Sequence, residues 1–388
     1  MKMTTVRLSF ALFFFLVAAV LTNAPLSLAA TQNSYPNVDK ATEELKKKIA
    51  AATPKKIPAK PATVKKAAPV KPLSVLTPSL SQSQTIATVS SSSSPISKRS
   101  IIPGPELNAK TRNALVNIIC VTRSGGYLHP ISGSGVIIDP RGVILTNAHV
   151  AQYMLLENYL VPDFVSCTIR TGSPAETTYR ARLLYLPETW VKANAKNLVS
   201  TLPQGTGEND YALLAITSSA TGNPLPTSFP YLSPDVLFET PSLNYPVLLA
   251  GYPAEYVGSI ATQRNLYALS SASKIERGYY FPSEKAGSLD LLSLGGNILA
   301  QGGSSGGAVV DHYTGTLLGI LVTTTAGTKT SEKELNGITL SHIDRSILAE
   351  TGKGLSAFLA GDILPKVHDF ATHLLPRESQ LLIDAISK

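Results

Sequence analysis

From Leu115 to Val322 the apolar residues fall in short runs, each closed by glycine, proline, asparagine or serine. The runs are 115–122, 133–138, 143–146, 165–170, 179–185, 211–216, 247–250, 266–271 and 317–322, with a short opening helix at 107–113. Runs of this length, rich in β-branched residues and separated by turn signals, predict strands, so the fold class is all-β. The sharpest local signal is a hairpin. Gly133–Ile138 and Val143–Thr146 flank Asp139-Pro140-Arg141-Gly142, which has its turn residues in place, and the second strand delivers Asn147-Ala148-His149.

Two further stretches carry groups suited to acyl-transfer chemistry. Gln301-Gly302-Gly303-Ser304-Ser305-Gly306-Gly307-Ala308 is rich enough in glycine for several backbone N–H groups to turn inward beside a serine, where they would hold an oxyanion. Taken alone, the same stretch also reads as a flexible turn between strands. Gly207-Glu208-Asn209-Asp210 places an acid at the mouth of the strand beginning at Tyr211. The order along the chain is histidine, aspartate, serine.

Thr146-Asn147-Ala148-His149-Val150, Asp210-Tyr211-Ala212-Leu213-Leu214 and Gly303-Ser304-Ser305-Gly306-Gly307 together resemble the three signatures of trypsin-like serine peptidases, nearest to the bacterial HtrA/Deg type. The similarity covers about residues 105–345. It implies two six-stranded antiparallel β-barrels of the chymotrypsin/trypsin kind, with a short helical C-terminal tail and a cleft between the barrels. His149 and Asp210 would come from the first barrel and Ser305 from the second. His149 would take the proton of Ser305 during attack and return it to the leaving amine, Asp210 would orient the imidazole, and the N–H groups of Gly303 and Ser305 would form the oxyanion hole. The resemblance puts Gly-Gly directly after the active serine, which favours Ser305 over Ser304. It implies polypeptide substrates, with no metal and no organic cofactor. Leu299, Ala300, Ile320 and Leu321 would line a pocket selecting small to medium aliphatic side chains. It also makes the strands of Cys120 and Cys167 neighbours, so a disulfide is expected, with two buried free thiols as the alternative.

Other assignments are weaker. His129, His312, His342, His368 and His373 lack the setting of His149 and read as surface or structural. The G-x-S-x-G pattern at Gly303–Gly307 also occurs in α/β-hydrolases, but there the serine enters a helix and is followed by the acid and then the histidine. Ala308-Val309-Val310 reads as strand instead. The ammonium-activated mechanism of some relatives needs an aspartate immediately before the nucleophile, and Ser304 stands there.

The remaining segments differ in composition. Residues 1–100 carry 14 Lys and Arg against 3 Asp and Glu, while residues 101–388 carry 20 against 23. The basic excess thus lies in the N-terminal segment, and a nucleic-acid partner, which would want a basic face on the folded part, is not expected. Residues 1–29 read as a signal peptide, with Lys2 and Arg7 ahead of a 14-residue apolar run. The protein is therefore expected outside the cytoplasm, or membrane-anchored if the leader stays uncleaved. Residues 30–100, rich in Lys, Pro, Ala and Ser, read as a disordered linker with a potential contact to the cell envelope. The peptidase domain is placed at 101–345. In 346–388, Leu355, Phe358, Leu359, Ile363, Val367, Phe370 and Leu374 recur at helical spacing, which predicts one or two amphipathic helices kinked near Pro365. Those 43 residues fall short of the PDZ domain usual in HtrA/Deg enzymes. A rival reading is an inactive trypsin-like fold serving as a tethered envelope-binding protein. Sequence leaves the oligomeric state open.

Overall fold

The computed structural model describes residues 101–122, 130–199, 206–239, 244–254, 265–281, 289–324 and 334–387. The leader, the linker and His129 lie outside the described residues.

Helix α1 (Gly104–Ala114), with Pro105 in its first turn, leads directly into β1 (Leu115–Thr122). β2 (Ile131–Asp139) and β3 (Val143–Thr146) form the expected hairpin, closed by Gly142 N–H donating to Asp139 O at 3.0 Å. β4 (Val165–Thr171), β5 (Glu176–Tyr185) and β6 (Ala212–Ser219) complete an antiparallel barrel in the order β1-β2-β3-β6-β5-β4. The short helix α2 (Ala148–Ala151) runs into a tighter turn at Gln152–Leu156, and α3 (Glu188–Asn194) lies between β5 and β6.

The second half differs from the expected six-stranded barrel. Among the described residues it is a seven-stranded antiparallel sheet made of β7 (Tyr245–Gly251), β8 (Leu269–Ile275), β9 (Arg277–Tyr279), β10 (Leu291–Ser293), β11 (Ala308–Asp311), β12 (Leu317–Thr324) and β13 (Leu335–Thr339). Its order is β8-β7-β11-β12-β13-β10-β9. The two edge strands, β8 and β9, are separated in sequence by Glu276 alone, so the sheet must curl until its ends approach each other.

Burial on two faces explains why these strands read as unbroken apolar runs. Along β7 and β11, Val247, Leu249 and Val309 join one apolar cluster, whereas Leu248, Ala250, Ala308 and Val310 join another shared with Val136, Leu145 and Leu213 of the barrel. Successive residues point to opposite faces, and both faces are covered. That shared cluster packs the two halves together along the line where the serine loop meets the hairpin.

The C-terminal layer consists of α4 (Leu340–Thr351), α5 (Leu355–Leu359), α6 (Leu364–Asp369) and α7 (Leu375–Ile386). Pro365 sits in the first turn of α6, where its missing N–H costs nothing, so it starts a helix rather than kinking one. The chain continues from α6 to α7 through one wide π-turn at Phe370–Leu374. Pro376, in the first turn of α7, removes a donor there, which accounts for the widening. Phe370 and Leu382 are buried in the second apolar cluster of the barrel, so this layer packs on the fold. His342, within α4, is 1% exposed, with its ring edge-on to Phe281 at 4.8 Å and Nδ1 3.6 Å from Asp290. It is structural.

Candidate active site

β3 stops at Thr146, and Asn147, in extended conformation, turns the chain into α2 with His149 at its second position. Across the barrel, the turn before β6 is closed by Asp210 N–H donating to Gly207 O at 3.1 Å and Tyr211 N–H donating to Asn209 O at 2.8 Å. Asn209 takes the left-handed conformation, with φ 57°. Pairing of β3 with β6 sets Thr146 opposite Ala212, so the residues just beyond each strand face each other.

The result is a threefold grip between the two segments. His149 Nδ1 lies 2.7 Å from Asp210 Oδ2, and His149 backbone N–H donates to Asp210 Oδ1 at 2.9 Å. Asn147 Nδ2 donates to the Asp210 backbone carbonyl at 2.7 Å. Asp210 is buried, and an ionised carboxylate there makes Nδ1 the protonated ring nitrogen, leaving Nε2 as acceptor. Burial alone would push the His149 imidazole down, but the charge of Asp210 and its hydrogen bond outweigh burial and raise it above the ordinary histidine value.

The serine loop enters from the other half. Ser304 N–H donates to Gln301 O at 3.3 Å, Gly307 N–H to Ser304 O at 2.9 Å and Gly306 N–H to Leu321 O at 2.8 Å. Ser304 is 1% exposed, whereas Ser305 is half-buried. Among the described residues, neither the N–H of Gly303 nor that of Ser305 donates to a protein acceptor. Gly303 has φ +91°, and a Cβ there would fall 2.6 Å from Tyr252 O and 2.7 Å from Ala254 N. Only glycine fits. Ser305 Oγ and His149 Nε2 form no hydrogen bond in this structure, a contact that often tightens only when substrate arrives.

Sequence reasoning missed the residue that ties the loop to the barrel. Ser134, on β2, donates its N–H to Ser305 O at 2.7 Å and its hydroxyl to Gly303 O at 2.7 Å. The same hydroxyl accepts from Tyr252 N–H at 2.8 Å, and Ser134 O accepts from Thr146 Oγ1 at 2.7 Å. A small hydroxyl residue between two glycines was the available signal, but Tyr252, Gly303 and Ser305 lie more than a hundred residues away and no spacing rule connects them to it. The approach is tight enough that a Cβ on Gly306 would meet Ser134 O at 2.1 Å.

Leu299 and Ala300 are fully buried beside this loop. Leu321 joins Leu299 in one cluster, while Ile320, pointing to the other face of β12, belongs to the cluster shared with the barrel. Their side chains therefore do not line one common wall. Asp290 is completely buried, accepts from Phe281 N–H at 2.7 Å and pairs with Arg345. Cys120 and Cys167 are joined by a disulfide at a paired position of β1 and β4.

Residues 133–320 match the family model of the trypsin-like peptidase domain, and that stretch is similar to this family. Among solved structures the chain is similar to the Rv3671c protease of M. tuberculosis in its active form, at 19% identity and TM-score 0.38, covering 66% of this chain and 88% of that one. It is also similar to the serine endoprotease of Yersinia pestis, at 21% identity and TM-score 0.39, covering 64% and 67%. No curated protein sequence matches the chain.

Proposed function

We propose that the protein is a serine endopeptidase acting outside the cytoplasm, with Ser305 as nucleophile, His149 as general base and acid, and Asp210 as the group that orients His149. The observation that carries this reading is the double contact of His149 with Asp210 beside a serine loop whose Gly303 and Ser305 N–H groups have no protein acceptor among the described residues. Attack by Ser305 Oγ on a peptide carbonyl sends its proton to His149 Nε2, and the oxyanion forms against those two N–H groups. The amine leaves with the proton from His149, and water then releases the acyl group by the same exchange. The burial of Ser304 favours Ser305 as the nucleophile, since a substrate carbonyl must reach the attacking oxygen. The disulfide supports an oxidising compartment.

Cleavage after small or medium aliphatic residues is the specificity proposed. An isolated buried Lys or Arg needs a carboxylate near the pocket base, and Asp290, the nearest preceding acid, is already committed to Arg345 and Phe281 N–H. A peptide library read by mass spectrometry checks this, and dominant cleavage after Arg or Lys would overturn it. For the activity itself, a fluorophosphonate probe reacts only with an activated serine. The expected result is a single adduct on Ser305, abolished in His149→Ala. An adduct on Ser304 would reassign the nucleophile, and no adduct on the folded protein would reject the enzyme in favour of a binding role.

A further inference from the structure

Asp210 is gripped on one side by His149 and Asn147, and its two sequence neighbours are gripped by a single hydroxyl from the far end of the chain. Ser346, on α4, is buried at 8% exposure. Tyr211 OH donates to Ser346 Oγ at 2.8 Å, and Ser346 Oγ donates to Asn209 Oδ1 at 2.7 Å. One side chain thus uses its lone pair on the residue after Asp210 and its proton on the residue before it.

The anchor is firm and the anchored turn is not intrinsically so. Helix α4 is capped by Thr339, whose hydroxyl accepts from His342 N–H at 3.1 Å, and ends at Gly352 in the left-handed conformation. It grips the same turn a second time, because Tyr211 stacks on Tyr185 at 6.1 Å and Tyr185 OH donates to Glu350 Oε2, also on α4, at 2.8 Å. Asn209, by contrast, holds φ 57°, a conformation that asparagine tolerates better than other non-glycine residues but that is still less favourable than the right-handed one, so a side-chain contact helps to keep it there. The hydrogen bond from Ser346 is the contact available to do so through the Asn209 side chain.

We propose that Ser346 is a positioning residue for the reaction: by locking Asn209 and Tyr211 it keeps both carboxylate oxygens of Asp210 on His149 at once. The inference rests on the triad reading above, yet the His149–Asp210 contact it governs is measurable whether or not the protein turns over a substrate. Without the Ser346 hydroxyl the turn is released, and small misplacements of a catalytic group cost on the order of tenfold to a hundredfold in rate.

The test compares wild type with Ser346→Ala, Ser346→Thr and Asn209→Gly, each checked for folding by circular dichroism. Asn209→Gly keeps the left-handed turn without strain and removes the same hydrogen bond, so it decides the matter if Ser346→Ala does not fold. The first readout is the low-field proton resonance of His149 Nδ1–H. The second is the pH dependence of fluorophosphonate labelling of Ser305. Ser346→Ala and Asn209→Gly are expected to broaden the resonance, slow labelling by about tenfold to a hundredfold and move its acid limb to lower pH, with Ser346→Thr restoring all three. Folded variants with the wild-type resonance and acid limb would overturn the inference. If wild type takes no label while its resonance responds to Ser346→Ala, the peptidase reading fails and the positioning role stands.

Discussion

At the scale of single residues, the geometry makes the proton affinity of His149 a direct consequence of Asp210. The imidazole is held above its ordinary value, so catalysis, which needs it neutral, should be lost as pH falls through that raised value. Asp210→Asn removes the charge that raises it. The acid limb of kcat/KM should then move to lower pH, and kcat should fall by roughly 10⁴-fold, because an amide donating to Nδ1 favours the wrong tautomer. A pH–rate profile with an unmoved limb would contradict the pairing. Gly303 is equally exacting. Gly303→Ala places a methyl against Tyr252 O and Ala254, so the loop must shift, and with it the N–H groups proposed to hold the oxyanion. A loss of about 10²–10³-fold in kcat is expected, with circular dichroism unchanged. The residues proposed as the triad, His149, Asp210 and Ser305, can be picked out in sequence because each sits in a local motif whose residues are adjacent. Ser134 and Ser346 cannot, since each acts through partners brought near only by the fold.

At the scale of elements, strands of four residues or more were largely readable, and the exceptions have physical causes. β9 and β10 have three residues each, too few to show a period, and β10 lies in a Leu-rich stretch that reads equally well as buried core. β13 was hidden because Asn336 and Gly337 interrupt its apolar pattern. The second sheet therefore gained strands that no periodicity announced. The β1–β4 pairing was inferred through family likeness, and the disulfide now staples it. Cys120 and Cys167 are 47 residues apart, and loop closure of that length stabilises by about 4 kcal/mol on the chain-entropy account. Cys120→Ser/Cys167→Ser should lose up to about that much unfolding free energy and unfold at lower denaturant, with the two-state slope rising as its unfolded chain expands. Thiol titration of the unfolded wild type without reductant should find no free thiol. Two would remove the staple from the account.

At the scale of the whole molecule, the C-terminal layer carries the charge least at ease in its surroundings. Helix α7 docks on the barrel through Leu382, fully buried, and through Ser379 Oγ donating to Leu155 O at 2.7 Å. Immediately before Ser379 stands Glu378, 0% exposed, with no hydrogen-bond partner for either carboxylate oxygen among the described residues. Burial comes first in pushing its carboxyl up to about 8, the negative charges of Glu188 on α3 and Glu350 on α4 add to this, and Arg377, drawn off to Glu188, offsets only part. A carboxyl whose folded value is raised keeps its proton in the folded chain after the unfolded chain has lost it. It therefore costs nothing below the ordinary carboxylate range, destabilises increasingly as pH rises from there to about 8, and costs a constant amount above. The steepest loss is about 1.4 kcal/mol per pH unit. Glu378→Gln has nothing to ionise, so its denaturation midpoint should match wild type near pH 4.5 and exceed it progressively toward pH 9. Titrations common to both proteins, His149 included, cancel in that difference. Hydrogen exchange gives the location: in wild type at pH 9, amides of α7 should open more readily than those of β1–β6, and Glu378→Gln should restore their protection. Parallel stability curves for the two proteins would mean that Glu378 finds a partner in solution and that the C-terminal layer is insensitive to pH.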